Sequence, residues 1–194
     1  MSAIEYRLVQ PATELTVDQD MKAKAGGGRT LRGCAAVWHS ESLDLGGFRE
    51  IIRPGTFAAS LKKSDVRAFW DHKSRYVLAR MSAGTLQLSE DEKGLAFSLS
   101  PPATQWAHDL MVSVGRKDIR QMSFAFAVDP GGDTWSRPKG RPIRELLSVT
   151  LQEISVVTFP VYPATHVYVR DQINPEILAE LARSRARVQQ LVVG

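Results

Sequence analysis

The segment from Arg120 to Val128 constrains the fold of this chain more than any other, because its side chains alternate strictly in size. Read with a period of two, the bulky residues fall on one face and the small ones on the other: Met122, Phe124, Phe126 and Val128 against Ser123, Ala125 and Ala127. This pattern is typical of a β-strand that lies on a hydrophobic core. The small face leaves room above the hydroxyl of Ser123. In the simplest interpretation, that serine only fills a tight position in the sheet.

Short alternating segments of this kind recur along most of the chain, separated by turns that contain Gly and Pro. Helical patterns are fewer: Phe57 to Lys62, Thr104 to Val114, and a segment that begins near Asn174. Many short strands with frequent turns and few helices favour a closed or nearly closed sheet. We therefore predict an α+β fold that is mainly β, with an antiparallel β-barrel and a few helices around it.

The length of 194 residues suits one domain with appended segments. Three consecutive glycines, Gly26 to Gly28, indicate a hinge. The predicted organisation is an N-terminal strand and flexible segment over residues 1–28, a barrel domain over 29–170, and a helical tail over 171–194. No apolar run approaches the roughly 20 residues of a membrane helix, and no secretory signal is recognisable, so we expect a cytoplasmic protein without a membrane partner.

Charge and cysteine content argue against several classes of function. The net charge is +4, and the positive residues are dispersed. A nucleic-acid-binding barrel would need a basic face with interleaved aromatic residues, which the sequence lacks. Cys34 is the single cysteine, and no histidine pair has metal-ligand spacing. We therefore expect no nucleic-acid partner, no metal and no cofactor.

Among the four histidines, His72 has the most unusual context. It ends a predicted strand, Asp65 to His72, and shares a face with Val66, Ala68 and Trp70. Its ring is thus expected to be half buried. A purely structural histidine is the alternative interpretation. The other three are expected on the surface or in connections: His39, His108 and His166.

Glu153 lies where a carboxylate is least expected. In the predicted strand from Leu146 to Phe159, it falls among the apolar odd-numbered positions: Leu147, Val149, Leu151, Val157 and Phe159. An unpaired buried carboxylate is costly, so a partner such as an imidazole, an arginine or a backbone amide is predicted. The alternative is a β-bulge that turns Glu153 outward.

With these residues in view, the chain resembles the prohead serine proteases of tailed bacteriophages, the procapsid maturation enzymes. The similar segments are Leu31–Trp38, Gly47–Phe57, Asp65–His72, Val77–Arg80, Gly84–Leu86, Asp118–Phe124 and Leu151–Pro160. Each is modest alone, but their number and order make the resemblance specific. No Gly-x-Ser-x-Gly motif surrounds any serine, which argues against an α/β-hydrolase instead.

The resemblance implies a barrel like that of the herpesvirus assemblin proteases and a catalytic triad in the chain order His, Ser, third member. His72 and Ser123 match the family's histidine and serine, and Glu153 matches the position of the third member. Asp71 competes by proximity, and His166 competes because the herpesvirus relatives use a histidine in that role. The chain differs from many members at Asp71, where Asn is frequent, and at Ala125, where Gly is frequent.

The function implied is a serine endopeptidase that cleaves the major capsid protein and scaffold (delta) segments, and itself, inside the assembling prohead in the host bacterial cytoplasm. A homo-oligomer on assembly is also implied, and related proteins occur in prophages and gene transfer agents. The alternative function is a non-catalytic capsid-assembly or scaffold module, in which Ser123 only packs.

Overall fold

A computed structural model of the chain describes residues 4–8, 16–19 and 29–158. These residues form mainly β structure with few helices, as predicted. The strands are β1 (Ile4–Leu8), β2 (Thr16–Gln19), β3 (Arg29–Val37), β4 (Arg49–Ile52), β5 (Arg67–Trp70), β6 (Lys73–Arg80), β7 (Leu86–Glu90), β8 (Gly94–Leu99), β9 (Gln121–Val128), β10 (Asp133–Ser136), β11 (Ile143–Leu146) and β12 (Val149–Val157). The helices are α1 (Ala58–Lys63), α2 (Gln105–Gly115) and a 3₁₀ turn (Pro138–Gly140).

The strands belong to three hydrogen-bonded sheets. Their orders are β1-β9-β12-β5-β6, β10-β11-β4 and β2-β3-β8-β7. Most neighbours are antiparallel, but β12 pairs with β5, and β11 with β4, in parallel. Within the ranges the structure describes, these ladders do not close into a ring, so the predicted barrel is not confirmed.

The hydrophobic core lies against one face of the five-stranded sheet. Met122, Phe124 and Phe126 of β9 are buried in it, which confirms the bulky face predicted for this strand. Phe57, just before α1, contacts Phe124 edge to face with ring centroids 5.7 Å apart. The opposite face of β9 carries the small side chains, and it is this second face that holds the candidate site.

Two predicted strand boundaries are wrong. The strand predicted to run to His72 ends at Trp70. The predicted strand from Leu146 to Phe159 is two strands, because Leu147 and Ser148 turn back to donate backbone hydrogen bonds to Gly132. In both cases the alternation of polar and apolar residues continues through a turn, where it no longer indicates that the chain is paired in a sheet.

Thr56 precedes α1 but does not cap it. Phe57 is the N-cap of α1, and no side chain bonds there. The Thr56 hydroxyl is turned the other way, within 2.6 Å of the carbonyl of Arg53 and 2.8 Å of that of Leu146. It thereby joins the start of α1 to the end of β11.

Strand β1 is anchored to the rest of the fold by a buried network of charges. Arg7 donates to both oxygens of Glu50, at 2.6 and 2.9 Å, and also contacts Glu5. Arg144 of β11 donates to Glu5 at 2.6 and 3.0 Å and to Asp133 at 2.7 Å. Two guanidinium groups are thus balanced by three carboxylates, and β1 is held at the edge of β9.

The predicted division of the chain at residues 28 and 170 remains a prediction. Strands β1 and β2 of the first segment pair with β9 and β3. The predicted tail over 171–194 lies outside the described residues. Within the described part of the chain, no helix combines the length and the apolar character needed to span a membrane.

Candidate active site

A β-bulge at Gln152 determines where Glu153 lies. Leu151 is paired with Phe126 of β9, whereas Glu153 is paired with the preceding residue, Ala125. Gln152 and Glu153 of β12 therefore lie opposite the single residue Ala125 of β9. From this point on, the alternation of side chains between the two faces is shifted by one residue. The interpretation that Glu153 shares the apolar face of Leu151 is wrong. The alternative bulge is present, and Glu153 lies on the small-residue face with Ala125.

Glu153 nevertheless remains buried, with 7% of the residue exposed. Its partner is the imidazole of His72, whose Nδ1 contacts Oε1 of the carboxylate. The side chain of His72 is 8% exposed, and that of Glu153 is 9% exposed. A buried carboxylate needs such a partner, because an isolated charge in this environment is poorly solvated. The arrangement fixes which ring nitrogen faces the carboxylate and leaves Nε2 as the other reactive position.

His72 is presented by a tight turn rather than by a strand. Trp70 of β5 is paired with Lys73 of β6, so Asp71 and His72 form a two-residue hairpin connection. Both have positive φ, 50° and 55°. This is the sign that a type I′ turn requires at both central positions, where Asn and Gly are the preferred residues. A left-handed conformation at non-glycine residues costs of order 1–3 kcal/mol each and is frequent at functional sites.

The carboxylate of Asp71 is directed away from the imidazole contact. It accepts a hydrogen bond from the backbone N–H of Thr158 at 2.9 Å, and the Asp71 N–H donates to the carbonyl of Val156. Asp71 thus fastens the turn to the end of β12.

Ser155 joins His72 and Glu153 a second time, and sequence reasoning missed it. Its hydroxyl donates to Oε2 of Glu153 at 2.5 Å and accepts from the backbone N–H of His72 at 3.3 Å. Ser155 is fully buried. A signal was available: Glu153 and Ser155 are polar residues at alternate positions of the same strand, which marks a shared polar face.

Ser123 lies directly across the sheet from Ser155. The two are Cα partners in the antiparallel ladder of β9 and β12, so their side chains share one face. Ser123 is 1% exposed, and its hydroxyl donates to the backbone carbonyl of Arg7 in β1 at 2.7 Å. The structure therefore places Ser123, Ser155, Glu153 and the His72 turn on the same side of the five-stranded sheet, opposite the hydrophobic core.

The remaining candidates lie elsewhere. His39 and His108 are exposed, and His166 lies outside the described residues. The Arg80 guanidinium, followed by the Ser82 amide, lowers the pKa of the exposed Asp65 carboxyl. No group of three or more His, Cys, Asp or Glu within the described ranges could hold a metal ion.

The chemistry available at this face is that of a hydroxyl, an imidazole and a carboxylate, which together can activate an oxygen nucleophile. A family model described as caudovirus prohead serine protease matches residues 15–177. No curated protein and no solved structure matches the chain. The family match covers most of the 194 residues and includes every residue of the site on β5–β6, β9 and β12. This chain is a serine protease with a role in phage capsid maturation, and it belongs to the caudovirus prohead serine protease family.

Proposed function

We propose that Ser123, His72 and Glu153 form the catalytic triad of this protease. The observation that carries the proposal is the buried contact between His72 Nδ1 and Glu153, on the face of the sheet where Ser123 lies. An ionised carboxylate can only accept hydrogen bonds, so the proton of this contact belongs to Nδ1. That tautomer leaves the lone pair of Nε2 to act as a base.

The reaction is acyl transfer in two halves. Nε2 of His72 takes the Ser123 proton as the serine oxygen bonds to the scissile carbonyl carbon, and the resulting imidazolium then protonates the departing amine. Water repeats these steps on the acyl-enzyme and releases the second product. Glu153 holds the imidazole in the correct orientation and stabilises its positive charge while it lasts.

Ser123 has to turn before it reacts. A serine hydroxyl has a single proton, so donation to the Arg7 carbonyl and donation to His72 exclude each other. The hydroxyl must leave the Arg7 carbonyl by rotation about the Cα–Cβ bond of Ser123. This rotation costs about one ordinary hydrogen bond, roughly 0.5–1.5 kcal/mol.

The substrates proposed are the major capsid protein, scaffold (delta) segments and the protease itself, cleaved inside the assembling prohead in the host bacterial cytoplasm. The family membership supports this assignment. We further propose that the complete chain forms an assemblin-like barrel and acts as a homo-oligomer, with the protease barrel over 29–170 and a separable tail over 171–194.

Co-expression with the neighbouring capsid gene tests the function. We expect the capsid protein to be trimmed by the wild-type chain and to stay at full length with Ser123→Ala, as measured by intact mass. The matched control is Ser113→Ala at a partly exposed position of α2, which should trim normally. Trimming that persists with a folded Ser123→Ala chain would reject the proposed nucleophile.

A further inference from the structure

We propose that Ser155 is a positioning residue of this protease, which aims Glu153 at His72 and fixes the turn that carries the imidazole. The inference rests on the triad proposed above and deepens it. No contact of Ser155 with the reacting atoms is required, because it would act through Glu153 and His72.

The first support is that three hydrogen bonds form a closed ring through Ser155. The His72 backbone N–H donates to the Ser155 hydroxyl, that hydroxyl donates to Oε2 of Glu153, and Oε1 of Glu153 contacts Nδ1 of the same histidine. The Ser155 hydroxyl therefore holds the backbone N–H of His72 directly and the imidazole of His72 through Glu153. Breaking any one of these bonds releases a constraint on the direction of the imidazole.

The second support is that Ser155 fixes the terminal torsion of Glu153, which determines where the two carboxylate oxygens point. The terminal torsion of a glutamate is broad and has no sharply preferred value. A hydrogen bond to one oxygen selects one orientation, and here the bond from Ser155 to Oε2 leaves Oε1 directed at His72. Second partners of this kind commonly determine whether a reactive group is held within the tolerance that chemistry needs.

The third support is the strained turn. The positive φ of His72 is a conformation that a histidine does not favour alone. Two attachments oppose its relaxation: the hydrogen bond from the His72 N–H to Ser155, and that from the Thr158 N–H to Asp71. The Thr158 N–H secures Asp71, the first residue of the turn, and Ser155 secures His72, the second, which bears the ring.

A structural role alone would be the competing explanation, since Ser155 is fully buried. Ser60 provides the matched control. It is also a buried serine with a hydrogen-bonded hydroxyl, which accepts from the Leu151 N–H at 2.8 Å, but it contacts neither His72 nor Glu153. Loss of the Ser60 hydroxyl should therefore affect stability to a similar extent and leave the imidazole in place.

The test measures two properties of the full chain. The first is the rate at which an alkyl fluorophosphonate labels Ser123, followed by intact mass; the serine oxygen bonds to phosphorus, fluoride leaves, and the imidazole takes the proton. The second is the far-downfield proton resonance of the His72 Nδ1–H in the NMR spectrum, assigned by its loss in Glu153→Gln. Thermal unfolding verifies that each variant is folded.

We expect Ser155→Ala to slow labelling about 10- to 100-fold, a part of the full contribution of a general base, and to broaden or abolish the resonance. Ser155→Thr retains the hydroxyl and should restore both. Ser60→Ala should keep the labelling rate within about threefold of that of the wild type, on the same scale, and should retain the resonance. If Ser155→Ala does not fold, Ser155→Cys keeps the size of the side chain with only a weak donor, and it should show the same two losses.

A double-mutant cycle decides whether Ser155 acts through Glu153. In the background of Glu153→Ala, adding Ser155→Ala should slow labelling less than it does in the wild type, because only the hydrogen bond from the His72 N–H is then lost. Equal losses in both backgrounds, or an intact resonance in Ser155→Ala, would overturn the positioning role. An adduct on Ser155 itself would also overturn it, by making Ser155 the nucleophile. Failure of the proposed triad would give a different result. Labelling would persist in Ser123→Ala, while Ser155→Ala would still weaken the His72 Nδ1–H resonance.

Discussion

Leu151 and Glu153 are two positions apart on β12, yet their side chains lie on opposite faces of the sheet. The single extra residue between them, Gln152, turns a carboxylate away from the hydrophobic core and toward His72. With Gln152 present and no bulge, Glu153 would lie opposite Phe124 and enter the core. The bulge is thus the backbone feature on which the geometry of the candidate triad depends.

We expect deletion of Gln152 to keep Glu153 on the small-residue face and to leave Ser123 reactive toward a fluorophosphonate. The deletion joins Leu151 directly to Glu153, so regular alternation then keeps Leu151 opposite Phe126 and Glu153 opposite Ala125. The loss of unfolding free energy should stay within the roughly 0.5–3 kcal/mol of an ordinary substitution. Urea unfolding measures it.

The control is Gln152→Ala, which keeps the bulge and changes an exposed side chain. It should stay within about 0.5 kcal/mol of the wild type and be labelled normally. A folded deletion variant that is no longer labelled on Ser123, or that loses more than about 4 kcal/mol of unfolding free energy, would contradict this register of β12.

The bulge also explains how far the sequence could predict this structure. The alternation of β9 is uninterrupted, so both of its faces were predicted correctly from the residue pattern. The same reasoning failed on β12, because a period of two carries no record of an inserted residue, and one insertion inverts every later position. Glu153 was therefore selected correctly as an unusual carboxylate but was placed on the wrong face.

The turn at His72 illustrates a second limit. Its residues continue the alternation of β5, so the sequence predicts that the strand extends to His72, whereas the chain reverses after Trp70. A type I′ turn prefers Asn, Asp or Gly at its first central position and Gly at its second, so Asp71 fits this preference and His72 does not. The contacts that compensate, from Ser155 and Thr158, come from more than 80 residues away along the chain and are invisible to local patterns.

Glu153→Gln should slow the covalent labelling of Ser123 by about 10²- to 10⁴-fold, because an amide does not stabilise the imidazolium and does not enforce the Nδ1–H tautomer. The fold should persist, since the shape is retained. His166→Ala is the comparison variant for the competing assignment, and its labelling rate should remain close to that of the wild type.

These two variants discriminate between the candidate third members. A His166→Ala chain that is folded but unreactive, together with a normal Glu153→Gln chain, would transfer the role to His166. Labelling rates and thermal unfolding measured on the same preparations separate loss of reactivity from loss of fold.

Glu50→Gln should destabilise the protein by about 3–5 kcal/mol, because it leaves two buried guanidinium groups with less negative charge. Glu50 is 3% exposed and accepts from both Arg7 and Arg144. The matched control is Glu145→Gln, which breaks a partly exposed pair with Arg53 at 2.7 Å and should cost at most about 1 kcal/mol. Equal effects of the two variants in urea unfolding would contradict a stabilising role for the buried network.

The stability of the fold should fall in acid through Glu5. Burial acts to raise the pKa of this carboxyl, but the charges and hydrogen bonds of Arg7 and Arg144 outweigh it and hold the pKa below the usual value. Its contribution is therefore complete above about pH 4.3, the ordinary glutamate pKa, and is lost as the pH falls through the lower value of the folded state. Urea unfolding of the wild type and Glu5→Gln should show a difference that shrinks from pH 7 to pH 3, whereas a constant difference would contradict this account.

The most direct test of the proposed nucleophile is the position of the covalent adduct. The full chain is treated with an alkyl fluorophosphonate, digested, and mapped by tandem mass spectrometry. We expect a single adduct on Ser123, present in the wild type, absent in heat-denatured protein, and absent in a folded Ser123→Ala chain. An adduct on another serine that persists in folded Ser123→Ala would contradict the assignment of Ser123 as the nucleophile of this protease.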